Sequence, residues 1–264
     1  MDSTFVILER IAQNADWPTT QSWTQMLQRE FQAALDLLDG YRDDPETLYR
    51  AMNLFIVMPN GCYGKAGAGA VLLAASHFES KLSTEVANAI SHWIESAKLV
   101  NDSIPAVRAI EVNFLVRSEQ MELAASKLKE LVKINPDDYW ACRSALNYWA
   151  ETGDLAQVAI WGKRAEDNAH SSRRWEQVIW QMGVIAQQQK LWQQALGFYE
   201  QLLSGNNQDS HLYLRMAQVL FALSEHKRAL AYIKQSLAIK STPVGEQLQK
   251  DILKASVWWR KLLP

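Results

Sequence analysis

The chain has 264 residues, of which 48% are apolar and 21% are charged, so it can bury a core and is not a disordered tail. Its formal net charge of −2, from 27 basic and 29 acidic residues, excludes a strongly basic nucleic-acid-binding protein. The two cysteines cannot build a disulfide framework or a zinc site of the usual spacing. Only 11 glycines and 7 prolines are present and no strand-like alternation persists, so we predict an all-α protein.

The first hundred residues are predicted to form five helices. Asp44, Pro45 and Glu46 supply a cap, a proline and an acidic first turn at the start of the third helix. Met1 and Asp2 begin a segment without the basic start and long apolar run of a signal peptide, so we expect a cytoplasmic protein. The predicted helices fall near residues 4–14, 20–39, 45–57, 66–80 and 84–99.

A glycine-rich loop between the third and fourth predicted helices has some features of a phosphate-binding loop. Such a loop needs a glycine five residues before its Gly-Lys pair and Ser or Thr after that pair. Here Pro59 precedes Gly64-Lys65, and Ala66 follows it. An interhelical loop is therefore the favoured interpretation. An enzyme or nucleotide-binding protein is kept only as a remote alternative.

The second half of the chain repeats itself at intervals of 34 to 37 residues. Met182 and Gly183 recur as Met216 and Ala217. A small or apolar residue of the second helix in each unit follows the same spacing, at Ala124, Val158, Ala195 and Ala229. This alternation of large and small residues resembles the tetratricopeptide repeat, with four units over about residues 105–241.

The resemblance implies a right-handed α-solenoid in which each unit is a pair of antiparallel helices. We predict three parts: degenerate amino-terminal hairpins over 1–104, four repeats over 105–242, and a capping helix over 243–264. The pattern has departures. The small residue of the first helix is replaced by Val112 and Leu146 in the first two units, and Gly162 stands where a large apolar residue is expected.

In one subclass of this family, polar residues on the first helices hold the terminal carboxylate of a bound peptide. Three side chains differ here from that pattern, namely Arg for Lys, Gln for Asn and His for Lys, but each still supplies a donor. Trp180 and Leu214 are expected to pack against the ligand. An ordinary solvated polar face is the alternative. The matching positions are Arg143, Asn147, Gln181, His211 and Arg215.

Tryptophan is abundant, with 11 residues. Trp258 and Trp259 are neighbours in the last predicted helix, so one of them must point away from the helix core and is a candidate contact for a partner or a second copy. Five histidines show no metal-ligand spacing. Six further tryptophans are predicted to pack in the core or between repeats, namely Trp140, Trp149, Trp161, Trp175, Trp180 and Trp192.

The sequence thus predicts a non-enzymatic protein-interaction module of the adaptor, chaperone-like or scaffold kind. It would bind a peptide or protein partner in a concave groove, and that partner would be acidic or carry a free carboxyl terminus. No cofactor, metal, nucleic acid or membrane is expected. The alternative is a structural subunit that docks into an assembly through its outer face or its tryptophan-rich last helix.

Overall fold

The computed structural model describes residues 82–100, 102–205 and 209–262, and the first four predicted helices and the Gly61–Ala66 loop lie outside these ranges. The described residues form ten α-helices and no strand. Within these ranges, no helix combines the length and the apolar character needed to span a bilayer. In chain order the helices are α1 Thr84–Val100, α2 Pro105–Arg117, α3 Met121–Ile134, α4 Tyr139–Thr152, α5 Leu155–Asp167, α6 Ser172–Gln188, α7 Trp192–Ser204, α8 Ser210–Ala222, α9 His226–Ile239 and α10 Pro243–Leu262.

The chain divides into two compact units, which are described separately. Unit 1 extends to Arg174, and unit 2 begins at Trp175. The boundary falls inside the first turn of α6, so unit 2 contains most of that helix together with α7 to α10. The predicted division at residues 104 and 242 follows the repeat pattern instead and remains a prediction.

The turns within the four helix pairs share one backbone conformation. Each contains one residue in the left-handed region, with φ of 60° at Glu119, 77° at Gly153, 59° at Lys190 and 63° at Ser224. These residues are spaced 34, 37 and 34 apart, the spacing of the sequence repeat. In each turn the next residue donates its backbone N–H to a carbonyl five residues earlier, which satisfies the end of the first helix. These bonds join Gln120 to Leu115, Asp154 to Trp149, Leu191 to Ala186 and Glu225 to Leu220.

The core of unit 1 lies between α2, α3 and α4. The Ser144 hydroxyl on α4 donates to the Ala109 carbonyl on α2 over 3.3 Å, which joins the first helices of successive repeats. Asp138 caps α4 by accepting backbone N–H bonds. On α1, three residues that lie 34 positions before buried residues of α3 are themselves buried, namely Ile90, Ile94 and Ala97. The central cluster consists of Ala109, Val112, Leu128, Leu131, Ala141 and Ala145.

Unit 2 has a continuous core across α6 to α10. Gly183 on α6 allows a close approach to α7, because a Cβ atom at this position would lie 2.5 Å from Cε1 of Tyr199. Asp209 caps α8 through the backbone N–H of His211. The last helix begins at Pro243 and buries Ile252 completely in this core. It therefore covers the end of the α8–α9 pair.

Candidate functional site

In unit 1, the first helix of the second repeat positions two of the predicted site residues. Arg143 on α4 is only 6% exposed, and its guanidinium carbon lies 6.0 Å from the ring centre of Tyr139. Asn147 lies one turn later and is half-buried. Its amide nitrogen donates to Oδ1 of Asn113 on α2 over 3.0 Å. Asn113 was not predicted, although it precedes Asn147 by the 34-residue spacing of the repeat.

The aromatic start of α4 collects a second arginine. The guanidinium carbon of Arg174 lies 4.8 Å from the ring centre of Tyr139 and 5.7 Å from that of Trp140. Both distances suit cation–π attraction. Tyr139 is itself buried, so its ring is held between α4 and the first turn of α6. Positive charge and aromatic surface are thus concentrated at this end of unit 1.

In unit 2, the remaining predicted groove residues lie on α6 and α8. Gln181 is 9% exposed. His211 and Arg215 are both half-buried, and their separation of four residues places them on one face of α8. Trp180 and Leu214 are partly buried against the core of this unit. Arg143 and Asn147 thus share one face of α4, and His211 and Arg215 share one face of α8. Arg143 is almost completely buried.

A chain of side-chain hydrogen bonds connects three helices of unit 2, namely α6, α7 and α8. The Tyr199 hydroxyl on α7 donates to Oε1 of Gln187 on α6 over 2.9 Å. Nε2 of Gln187 then donates to Oε1 of Gln218 on α8 over 3.1 Å. Burial raises the pKa of Tyr199 above its ordinary value, and the positive charge of Arg215 acts in the opposite direction. Sequence reasoning missed both glutamines, although Gln218 follows Arg215 by three residues and so shares its face.

The tryptophans of the repeats pack as predicted. Trp140, Trp149 and Trp161 are partly buried against the core of unit 1, and Trp175, Trp180 and Trp192 against that of unit 2. Trp258 and Trp259 belong to the last turns of α10, and their side chains lie outside the part of the chain that the structure describes. Their role as a partner contact remains a prediction.

The described residues contain no candidate metal-ligand cluster and one buried free cysteine. Across 82–100, 102–205 and 209–262, no three His, Cys, Asp or Glu side chains are grouped as metal ligands. Cys142 is fully buried, and desolvation raises the pKa of its thiol to about 11. Since the thiolate is the reactive form, Cys142 is poorly suited to be a nucleophile.

Comparison with known proteins gives structural likeness only. No protein-family model and no curated protein matches this chain. The structure is similar to the APC/C hetero-tetramer Cut9–Hcn1, with a TM-score of 0.58 and 10% identity over 85% of this chain and 42% of that chain, so this chain spans less than half of that protein. It is similar to PilF of Pseudomonas aeruginosa, with a TM-score of 0.52 and 15% identity over 76% of this chain and 94% of that one. A tetratricopeptide repeat protein of Parabacteroides merdae gives a TM-score of 0.54 and 12% identity over 95% and 99% of the two chains. The predicted fold class is confirmed: the chain has the all-α, tetratricopeptide-like solenoid fold.

Proposed function

We propose that this chain is a non-enzymatic protein-interaction module whose first helices bind an acidic segment or free carboxyl terminus of a partner protein. The observation that carries this proposal is a row of polar residues on the first helices of the repeats in each unit. Asn113 and Asn147 share one repeat position in unit 1, and Gln181 and Arg215 share another in unit 2, each pair being 34 residues apart. Each unit would use its own members of the row.

The chemistry of the row favours a partner rich in hydrogen-bond acceptors. Arg215 presents a guanidinium that can hold a carboxylate through two parallel bonds, and His211 lies one turn away with a further N–H donor. Leu214, half-buried on the same helix, would supply apolar contact surface beside His211. In unit 1, Asn147 offers an amide at the surface, and Arg143 adds positive charge from a buried position below it.

A second candidate function is supported by the last helix. Val244 and Leu253 on α10 are large apolar side chains that are 60% and 44% exposed. The same helix contains Trp258 and Trp259. Docking of α10 into a larger assembly would cover these side chains, and the chain would then act as a structural subunit.

Affinity purification from native extract, quantified by mass spectrometry, tests the first proposal. Arg215→Glu reverses one charge on the α8 face and is expected to lower recovery of the specific partner about tenfold or more, because an acceptor would meet a like charge. Lys234→Glu is the matched control, since Lys234 is exposed on the second helix α9. Circular dichroism establishes that both variants fold. Equal recovery of every partner by Arg215→Glu and wild type would contradict the proposal.

A third variant distinguishes docking through α10 from binding by the first helices. Leu253→Asp places a charge on the exposed face of α10 and leaves α8 intact. A partner that is lost only in this variant would transfer the interface to the last helix. A partner that is lost only in Arg215→Glu would assign it to the first helices of unit 2.

A further inference from the structure

The hydrogen-bond chain of unit 2 runs in one direction through the amide of Gln187. Tyr199 is fully buried, and its hydroxyl is the donor at the start of this chain. Donation to Gln187 fixes that amide with its oxygen toward Tyr199 and its nitrogen toward Gln218. The bond from Gln187 in turn engages the oxygen of Gln218. The amide nitrogen of Gln218 is therefore the free end of the chain.

The amide nitrogen of Gln218 lies on the same helix face as the guanidinium of Arg215, the main charge of the proposed site. Gln218 follows Arg215 by three residues on α8, so the two side chains are neighbours on one face. Gln218 is half-buried, so part of its side chain reaches solvent. Among the described residues, no carboxylate forms an ion pair with Arg215. The α8 face thus presents donors from both residues.

We infer that Gln218 is a specificity-determining residue of unit 2, with its amide oriented through Gln187 by the positioning residue Tyr199, so that this face accepts a carboxylate and rejects a neutral carboxamide. The inference rests on the proposed function of the α8 face. A carboxylate has only acceptor atoms and can satisfy both Arg215 and Gln218, whereas a carboxamide brings N–H groups that would oppose the donors.

The packing around Tyr199 explains how the orientation is maintained. The ring of Tyr199 occupies the space that a Cβ atom of residue 183 would fill, so Gly183 is what allows the hydroxyl to reach Gln187. Trp180 lies against the same ring, with 5.7 Å between ring centres. Because the buried ring is held on two sides, its hydroxyl has few accessible positions. The amides of Gln187 and Gln218, which are hydrogen-bonded in series to that hydroxyl, are therefore also restricted in orientation.

Side-chain NMR of the full-length protein tests this inference. The probes are N-acetylglycine, which carries the carboxylate of a chain terminus, and N-acetylglycinamide, its neutral equivalent. N-acetylaspartyl amide is a third probe and carries the carboxylate of an acidic side chain. Each is titrated while the amide resonances of Gln218 and Gln187 are followed. In wild type we expect both carboxylate probes to shift the Gln218 resonance and the neutral probe to leave it unchanged. The carboxylate probe that binds more tightly shows whether the natural ligand group is a chain terminus or an acidic side chain.

Two variants separate orientation from simple stability. Gln218→Glu preserves shape but replaces the donor by an acceptor, and should weaken N-acetylglycine at least tenfold. Gln194→Glu makes the same change at an exposed position on α7 and should leave binding unchanged. Tyr199→Phe removes only the hydroxyl and should reduce the preference for carboxylate over carboxamide about threefold. A general loss of stability would not change this ratio.

The outcomes also distinguish failure of the role inferred for Gln218 from failure of the function proposed for the α8 face. If Arg215→Glu abolishes carboxylate binding but Gln218→Glu and Tyr199→Phe retain the wild-type preference, the inference is overturned and the proposed function stands. If the wild-type Gln218 resonance responds to neither carboxylate, or equally to the carboxamide, the inference is also overturned. If Arg215→Glu binds the carboxylates as wild type does, the proposed function of this face fails as well.

Discussion

The hairpins α4–α5 and α6–α7 have residues of opposite size at two equivalent repeat positions. In α6–α7, Gly183 of the first helix lies directly against the ring of Tyr199 on the second. The equivalent positions 37 residues earlier contain Leu146 and Gly162, and both are buried. The large residue is thus on the second helix in one hairpin and on the first helix in the other.

At a helix crossing, the summed volume of the two facing residues is constrained more strongly than the size of either residue alone. Interiors are packed to nearly constant density, so a facing pair must fill a nearly fixed volume. Considered singly, Leu146 and Gly162 are two departures from the repeat pattern. We expect them to face each other as Gly183 and Tyr199 do, so that the large residue of the pair compensates for the small one. Ala217 and Ile233, both fully buried, are the corresponding small and large residues of α8–α9.

The largest expected effect is at the large member of the reversed pair. Leu146→Ala should lower the free energy of unfolding by about 3 kcal/mol, because Gly162 has no side chain that could fill the cavity. Leu155→Ala on α5 is the control, since Leu155 is 41% exposed and should lose much less. Urea unfolding measures both. Equal losses would mean that Leu146 does not fill the space beside Gly162.

Overpacking at the small member of the other pair should have the next largest effect. Gly183→Ala is expected to destabilise by about 2 kcal/mol, because its methyl group would overlap the ring of Tyr199. Gly197→Ala is expected to change the stability in the opposite direction. Nothing lies within 4 Å of a Cβ at Gly197, so improved helix propensity should stabilise by about 1 kcal/mol. Thermal unfolding distinguishes them, and stabilisation by Gly183→Ala would break the comparison.

The smallest expected effects lie in the turns of the same two hairpins. Gly153 and Lys190 both have positive φ, a conformation that costs residues with a Cβ roughly 1 kcal/mol. Gly153→Ala should therefore destabilise by about 1 kcal/mol. Lys190→Gly should stabilise by about 0.5 kcal/mol, because glycine relieves strain but also has more freedom in the unfolded chain. Calorimetric scans under identical conditions would show whether each variant is less or more stable than wild type. The same sign for both would argue against a shared turn.

Much of the architecture was predictable because it depends on local patterns. The spacing of small residues predicted the repeat register. Gly153-Asp154 has the composition of a turn followed by a helix N-cap, and the structure has both, with Gly153 in the left-handed region and Asp154 accepting the N–H of Gln157. The same 34-residue spacing relates the buried residues of α1 to those of α3. These features need only residue size, capping chemistry and helical periodicity.

The candidate site was less predictable, since it depends on how side chains meet. Repeat register placed Arg143 on the correct helix, but its burial depends on the surrounding packing, including the ring of Tyr139. The link from Tyr199 through Gln187 to Gln218 joins three helices, and its geometry depends on rotamers that no spacing specifies. Asn113 is different, because extending the row by one repeat would have found it.

The four left-handed turns also bear on how the chain reaches its native state. Two or three residues separate the helices of each pair, so most contacts within a hairpin join residues close in sequence. Closing such short loops is fast, and a low contact order favours rapid folding. Each hairpin can form before distant parts of the chain are present. During synthesis, the repeats can therefore become ordered one after another as they emerge from the ribosome.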